Sequence, residues 1–205
     1  MTPLQTRRGT LVQQAFPDLV AAAEDQLPDG LVLDGEVLAW DAEAGTLSFE
    51  GVQRRAAARP RPMPVLMARW PALYVAFDIL QADGIELVAL PDDEGQRRLE
   101  ELFAARALTS RWTLCPMTTD IDAARDWLDS WTDVAGIESV IAKPLGSPYQ
   151  AGRRGWTKIK RRDTTEALVG AITGTLTRPQ ALVLGRYDQQ ERLRMVGRAV
   201  ALRPE

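Results

Sequence analysis

Apolar residues along the chain switch between helical and extended spacing, and the switches mark out its elements. In Ala15–Leu27 (AFPDLVAAAEDQL), Leu19, Val20, Ala23 and Leu27 recur at helical spacing behind Pro17, a residue suited to a first helical turn. Leu31–Trp40 (LVLDGEVLAW) predicts a strand, bounded by Pro28-Asp29-Gly30 and the polar stretch Asp41–Gly45. Leu47–Arg55 reads as a short strand running into a helix. Arg59–Pro64 reads as a loop, because its prolines bar a helix interior. Leu73–Leu80 predicts a second buried strand, and Asp92–Leu108 and Ile121–Trp131 predict helices. In the last of these, Trp127 and Trp131 stand one turn apart, a spacing that suits core packing. Ser139–Lys143 and Gly155–Lys160 read as strands joined by the loop Pro144–Arg154.

From about Thr165 the texture changes to short strands, Ala167–Thr173, Ala181–Tyr187 and Leu193–Val200, with a turn at Asp188–Glu191. The pattern predicts an α+β fold in two parts, residues 1–163 and a small β-region at 164–205. The roughly 40 residues of that second part are too few to close a stable barrel by themselves.

Composition narrows the class. The chain has 205 residues, 45% hydrophobic and 26% charged, with a single cysteine. These values exclude a disordered tail, a coiled-coil rod and a disulfide scaffold. Cys115 forms no internal bridge, which suits a reducing cytoplasm. No apolar run approaches the roughly 20 residues of a membrane span, and the first residues lack a secretory h-region. A soluble cytoplasmic protein is expected.

Charge changes the picture further. The net of −3 hides a division: residues 1–142 hold 12 Arg and no Lys against 23 acids, while residues 143–205 hold 13 basic residues against 5 acids. A basic C-terminal third can attract a polyanion. The chain has no histidine, which excludes Ser-His and Cys-His nucleophilic systems and His-ligated zinc. Its only lysines, Lys143, Lys158 and Lys160, crowd into one short stretch.

Candidate chemistry sits inside the predicted strands. In Asp34-Gly35-Glu36 the period of two puts both carboxylates on one face. Like charges in an apolar strand need a cation or donors to meet them. In the second strand, regular alternation places Phe77 with Val75 and Ile79, and Asp78 with Ala76 and Leu80. Glu138–Lys143 (ESVIAK) carries an acid and an amine at its ends, on opposite faces if the strand is regular. Trp156, Lys158 and Lys160 share a face, where paired ammonium groups favour a phosphate-bearing polyanion. An exposed basic edge strand is the plainer alternative.

The order DGE, FD, Glu…Lys, W-x-K-x-K and then a small β-region resembles the ATP-dependent DNA ligases, within the covalent nucleotidyltransferases. Thr6-Arg7-Arg8-Gly9 with Phe16-Pro17-Asp18-Leu19 is similar to that family's arginine motif and its downstream segment, and Leu47–Arg55 (LSFEGVQRR) is similar to the segment that follows its DGE. The resemblance implies an adenylation domain of antiparallel sheets flanked by helices, followed by the first strands of an OB-like barrel. It implies that Glu36 and Glu138 bind a metal, Mg2+ or Mn2+, or the ribose. Phe77 would stack on adenine, Lys143, Lys158 and Lys160 would contact ATP phosphates, with Lys158 and Lys160 stabilising phosphate charge in catalysis, and Arg7 would bind AMP or a 5′-phosphate.

The implied reaction is sealing of nicked double-stranded DNA through lysyl-AMP and DNA-adenylate, by a monomer acting in DNA repair or recombination. Such chemistry needs pre-oriented cations more than acid–base groups, so a site without histidine suits it. The family's nucleophile is the lysine of a K-x-D-G motif. No such motif occurs here, and each lysine already matches a downstream motif, so this chain alone is expected not to self-adenylate. A non-catalytic nucleotide- or DNA-binding module, a truncated gene product, and an RNA ligase or capping-type enzyme are the alternatives.

Overall fold

A computed structural model describes residues 2–109, 111–131, 137, 139–153, 155–161 and 166–199. The chain forms two compact units, residues 1–161 and 162–205. In the first, a 3-10 turn at Gln13–Ala15 leads into α1 (Pro17–Gln26), and Pro17 stands in its first turn as the spacing predicts. β1 (Val32–Asp41) turns into the short β2 (Thr46–Leu47) and then α2 (Phe49–Ala57), capped by Ser48, whose Oγ accepts from the Gly51 N–H.

The proline-rich stretch departs from expectation. It enters a helix, α3 (Met63–Arg69), because Pro64 falls in the first turn, where no intrahelical N–H is needed. β3 (Ala72–Ala82) pairs antiparallel with β1 and with β4 (Ile85–Glu86). After α4 (Asp92–Ala105), β5 (Trp112–Leu114) pairs with β3 in parallel, a departure from wholly antiparallel pairing. The crossover through α4 makes this possible. α5 (Ile121–Ser130) precedes the hairpin of β6 (Val140–Ala142) and β7 (Thr157–Ile159).

Trp127 and Trp131 do not join the core. Their rings stack on each other at 4.9 Å between centroids, and α5 has no buried residue among those described. The core lies between β3 and the helices, with Phe16, Leu19, Tyr74, Leu99, Phe103 and Trp112 at its centre. One charged group is buried with them. Arg55 has no exposed surface, and its guanidinium lies 4.9 Å from the centre of the Phe16 ring. It donates to both Asp18 carboxylate oxygens and to the Ala15 and Trp70 carbonyls. Asp18 also accepts from Arg111 at 2.9 Å and from the Ala72 N–H at 3.1 Å.

The second unit is one antiparallel sheet, β8 (Leu168–Thr175), β9 (Arg178–Tyr187) and β10 (Leu193–Arg198), in the order β10-β9-β8. Asp188 closes the β9–β10 turn by accepting from the Gln190 and Arg192 N–H groups. Among the described residues no helix is long and apolar enough to cross a membrane.

Burial pushes the Asp18 carboxyl up, but Arg55, the Ala72 N–H and Arg111 together hold it below its ordinary value. Its ionised form therefore contributes stability above the ordinary carboxylate range, and that contribution is lost as pH falls toward the depressed value. Asp18→Asn is expected to cost about 3–5 kcal/mol in urea unfolding, because it strips Arg55 of its counter-charge. It should also flatten the acid limb of the stability curve. A loss below 1 kcal/mol would show the pair to be dispensable.

Candidate functional site

Gly35 sits mid-strand in β1, where its missing Cβ makes room for the core. A Cβ there would lie 2.2 Å from the Val75 carbonyl oxygen and 2.7 Å from the Tyr74 ring. The core side of β1 at this point therefore belongs to Tyr74, whose hydroxyl donates to the Leu33 carbonyl at 3.2 Å. Asp34 and Glu36 consequently point to the other face. Glu36 is exposed there, and Asp34 is half-buried.

Across from them, β3 carries an extra residue. Asp34 pairs with Asp78 but Gly35 pairs with Ala76, so Phe77 has no partner on β1. This is a β-bulge, and it shifts the alternation by one. Ala72, Tyr74 and Ala76 face the core, and then Ile79 does, in place of the regular pattern that grouped Ile79 with Phe77 and Asp78 with Ala76. Phe77 and Asp78 are thereby both left out of the fully buried face, half-buried beside Asp34.

The β6–β7 hairpin meets this bulge. Lys143 follows β6 directly, and its ammonium lies 2.7 and 2.8 Å from the Asp78 carboxylate oxygens and 3.2 Å from one Asp92 oxygen. The same ammonium stands 4.3 Å over the Trp156 ring. Ile141 pairs with Lys158 and Ala142 with Thr157, which puts Lys143 and Trp156 next in register. Period two then sets Ile141, Lys143, Trp156, Lys158 and Lys160 on one face of the hairpin. Lys158 and Lys160 are exposed.

The connection between β6 and β7 is held along its first half, at Leu145, Ser147 and Tyr149. The first two N–H groups of α4 are satisfied by it: Asp92 donates to the Ser147 carbonyl and Asp93 to the Leu145 carbonyl. Tyr149 donates its hydroxyl to Asp34 at 2.9 Å, and its ring meets Trp156 edge-on at 5.8 Å. Burial and the hydrogen bond to Asp34 push the Tyr149 hydroxyl up to about 12, with Asp78 adding to the rise and Arg7 opposing it. Arg7 itself is exposed, in the turn whose ends bond Thr6 to Thr10.

Burial lifts the Asp78 carboxyl; Lys143 pulls it back, and Asp92 and Asp34 push it further up, so that it stands above its ordinary value. Burial likewise raises the Cys115 thiol, against Lys143 and with Asp78. Cys115 reaches this neighbourhood because its N–H bonds the Ala76 carbonyl just past β5.

Of the residues singled out in the sequence, the structure draws Phe77 and Lys143 together through Asp78, and it puts Lys158 and Lys160 on the hairpin face that carries Lys143. Glu36 lies two residues along β1 from Asp34. Glu138 lies outside the described residues. Among the described residues no three His, Cys, Asp or Glu side chains gather into a group able to hold a metal ion. The contacts of Asp92 and Trp156 with Lys143, and of Tyr149 with Asp34 and Trp156, went unseen. Only Trp156 carried a signal, its place in W-x-K-x-K. Asp92 and Tyr149 lie in loop or helix-start positions whose partners are 51 and 115 residues away.

The family described as the ATP-dependent DNA ligase domain matches residues 2–160. DNA ligase C2 of Mycolicibacterium smegmatis is 33% identical over 197 residues, 95% of this chain and 54% of that protein. DNA ligase C of Mycobacterium tuberculosis is 30% identical, over 95% of this chain and 55% of that protein. The chain thus spans little more than half the length of these relatives. Among solved structures, mycobacterial DNA ligase D complexed with ATP and MES superposes with a TM-score of 0.60 at 31% identity, covering 97% of this chain and 59% of that one. A Lig E DNA ligase, 17% identical with a TM-score of 0.59, shares the fold.

Two outcomes follow from the site's geometry. Gly35→Ala is expected to destabilise the first unit by about 1–3 kcal/mol, since the facing carbonyl cannot retreat as a flexible side chain can. A thermal melt reads this, and an unchanged Tm would refute the close approach. The Tyr149 phenol, which ionises at about 12, is expected to titrate lower in Asp34→Asn, which removes its charged acceptor. An NMR titration of ring-labelled tyrosine follows this resonance, and an unmoved midpoint would break the Tyr149–Asp34 assignment.

Proposed function

Because the chain belongs to the ATP-dependent DNA ligase family, we propose that residues 1–161 form an adenylation domain that seats ATP for the sealing of nicked duplex DNA. The observation that carries this reading is the Asp78–Lys143 ion pair, which joins the strand of Phe77 to the hairpin of Lys158 and Lys160. Aromatic, acidic and cationic groups from distant segments meet there, as a nucleotide with a purine at one end and phosphates at the other requires.

In this reading Phe77, set out of the fully buried face by its bulge, receives the adenine. Lys158 and Lys160 take the phosphates and meet the charge that develops as pyrophosphate leaves. Mg2+ or Mn2+, as the resemblance implies, supplies further positive charge to the phosphates when bound. Such ions are held through one or two carboxylates together with substrate phosphates, which fits the single exposed carboxylate of Glu36. Arg7, near enough to act on Tyr149, suits a phosphate at the mouth of the same site. The second unit, with Arg178, Arg186, Arg192, Arg194 and Arg198 exposed, is read as an OB-like sheet that tracks the DNA backbone. A reducing cytoplasm suits the lone thiol.

The covalent step needs an amine from outside these residues, since no K-x-D-G occurs among them. Incubation with radiolabelled ATP and Mg2+ is expected to give reversible binding but no labelled band on a denaturing gel. Fusion to a K-x-D-G-bearing segment from an ATP-dependent DNA ligase is expected to restore both the labelled band and sealing of a nicked duplex. A band from the unfused chain, or no nucleotide binding at all, would overturn the assignment.

A further inference from the structure

The three lysines of the β6–β7 hairpin differ in exposure. Lys158 and Lys160 are exposed on the hairpin face. Lys143 has 18% of its side chain exposed, and three carboxylate oxygens surround its ammonium, two from Asp78 and one from Asp92, at 2.7, 2.8 and 3.2 Å. An ammonium has three N–H groups. The Trp156 ring covers a further side at 4.3 Å.

We infer that Lys143 is a positioning residue rather than a phosphate ligand, and that Asp92 is its partner in that role. The inference rests on the ATP reading given above and assigns a different task to one of its lysines. A phosphate reaching Lys143 must displace a carboxylate, and Asp78, with 12% of its side chain exposed, would be left charged and half-solvated. The ammonium instead ties three pieces together. Asp78 adjoins the bulged Phe77; Asp92 opens α4 and bonds the Ser147 carbonyl; Lys143 itself leads out of β6. Its charge thus fixes the spacing between the purine seat at Phe77 and the hairpin that carries Lys158. Asp92 is outside the segments that suggested the family, in the stretch Leu90-Pro91-Asp92-Asp93, so the sequence gives no hint of the pairing.

The test compares ATP with adenosine, because a phosphate ligand affects only the first. Binding of both to the intact 205-residue chain is measured by calorimetry for wild type, Lys143→Met, Asp92→Asn and Lys158→Met. Lys143→Met and Asp92→Asn are each expected to weaken ATP and adenosine by the same factor, about tenfold, leaving their ratio within about twofold of wild type, because a shift of the seat costs roughly one hydrogen-bonded charge. Lys158→Met is expected to weaken ATP about tenfold and to spare adenosine. The inference is overturned if Lys143→Met weakens ATP while sparing adenosine, if Asp92→Asn tightens ATP by releasing the ammonium, or if neither variant changes either affinity. Asp92→Asn keeps the question answerable if Lys143→Met does not fold. Wild-type protein that binds neither ligand overturns the ATP reading itself, and the inference with it.

Discussion

The first unit is organised around a positive charge placed where no water can reach it. Arg55 is fully buried, and a guanidinium in that position is tolerated only when its donors are met. They are met by Asp18 from α1, by the Ala15 carbonyl before it and by the Trp70 carbonyl just ahead of β3. Asp18 in turn holds the Ala72 N–H, the first of β3. Helix α1, helix α2 and the entry of the central strand are thereby fixed at one point. Everything the site uses from β3, Phe77 and Asp78 included, hangs from that entry, and a strand that started one residue late would turn both to the wrong face.

Asp18, buried, and Asp78, half-buried, each face a cation and shift in opposite directions. Asp18 has two arginines and a backbone N–H, enough to overcome burial and lower its carboxyl. Asp78 has one lysine, shared with Asp92, and feels Asp34 and Asp92 as like charges, so its carboxyl stands raised. A raised carboxyl binds its proton more readily folded than unfolded, so keeping Asp78 ionised costs stability as pH rises above the ordinary carboxylate range. Perturbed carboxylates cluster at sites that must present charge and in ion-pair networks such as the one Asp78 forms with Lys143 and Asp92.

Periodicity was enough to find most of this architecture, because the apolar faces of α1, α4, β1, β3 and the β8–β10 strands are strongly patterned. It failed where a local rule depends on a distant partner. The prolines of Arg59–Pro64 read as loop, although Pro64 in a first turn is compatible with α3. The three-residue β5 is too short to show a period, and its parallel place beside β3 is set by the α4 crossover. The Phe77 bulge is invisible in a strand read by itself, since it consists of a mismatch with β1. At the site, W-x-K-x-K and FD were legible as spacings, and Gly35 as the small residue between two acids. That Gly35 yields its place to Tyr74, and that Asp92 and Tyr149 close around the same point, required the tertiary contacts.

The charge count at the bulge bears on how a nucleotide can be received there. Asp78 and Asp92 bring two carboxylates to one ammonium, and Asp34 is near enough to act on Asp78 as a like charge, so the immediate surroundings of Lys143 favour cations over phosphates. In the proposed reading a triphosphate would be repelled from that point and drawn along the hairpin, where Lys158 and Lys160 stand exposed on the same face. Lys143 cannot relieve the repulsion without abandoning Asp78. In the proposed reading the acids and the lysines would act on opposite ends of an ATP molecule: the acidic cluster beside Phe77 would tolerate a neutral purine and exclude phosphate, and the amines beyond it would accept phosphate. In that reading, orientation would follow from the field of the site as much as from any single contact.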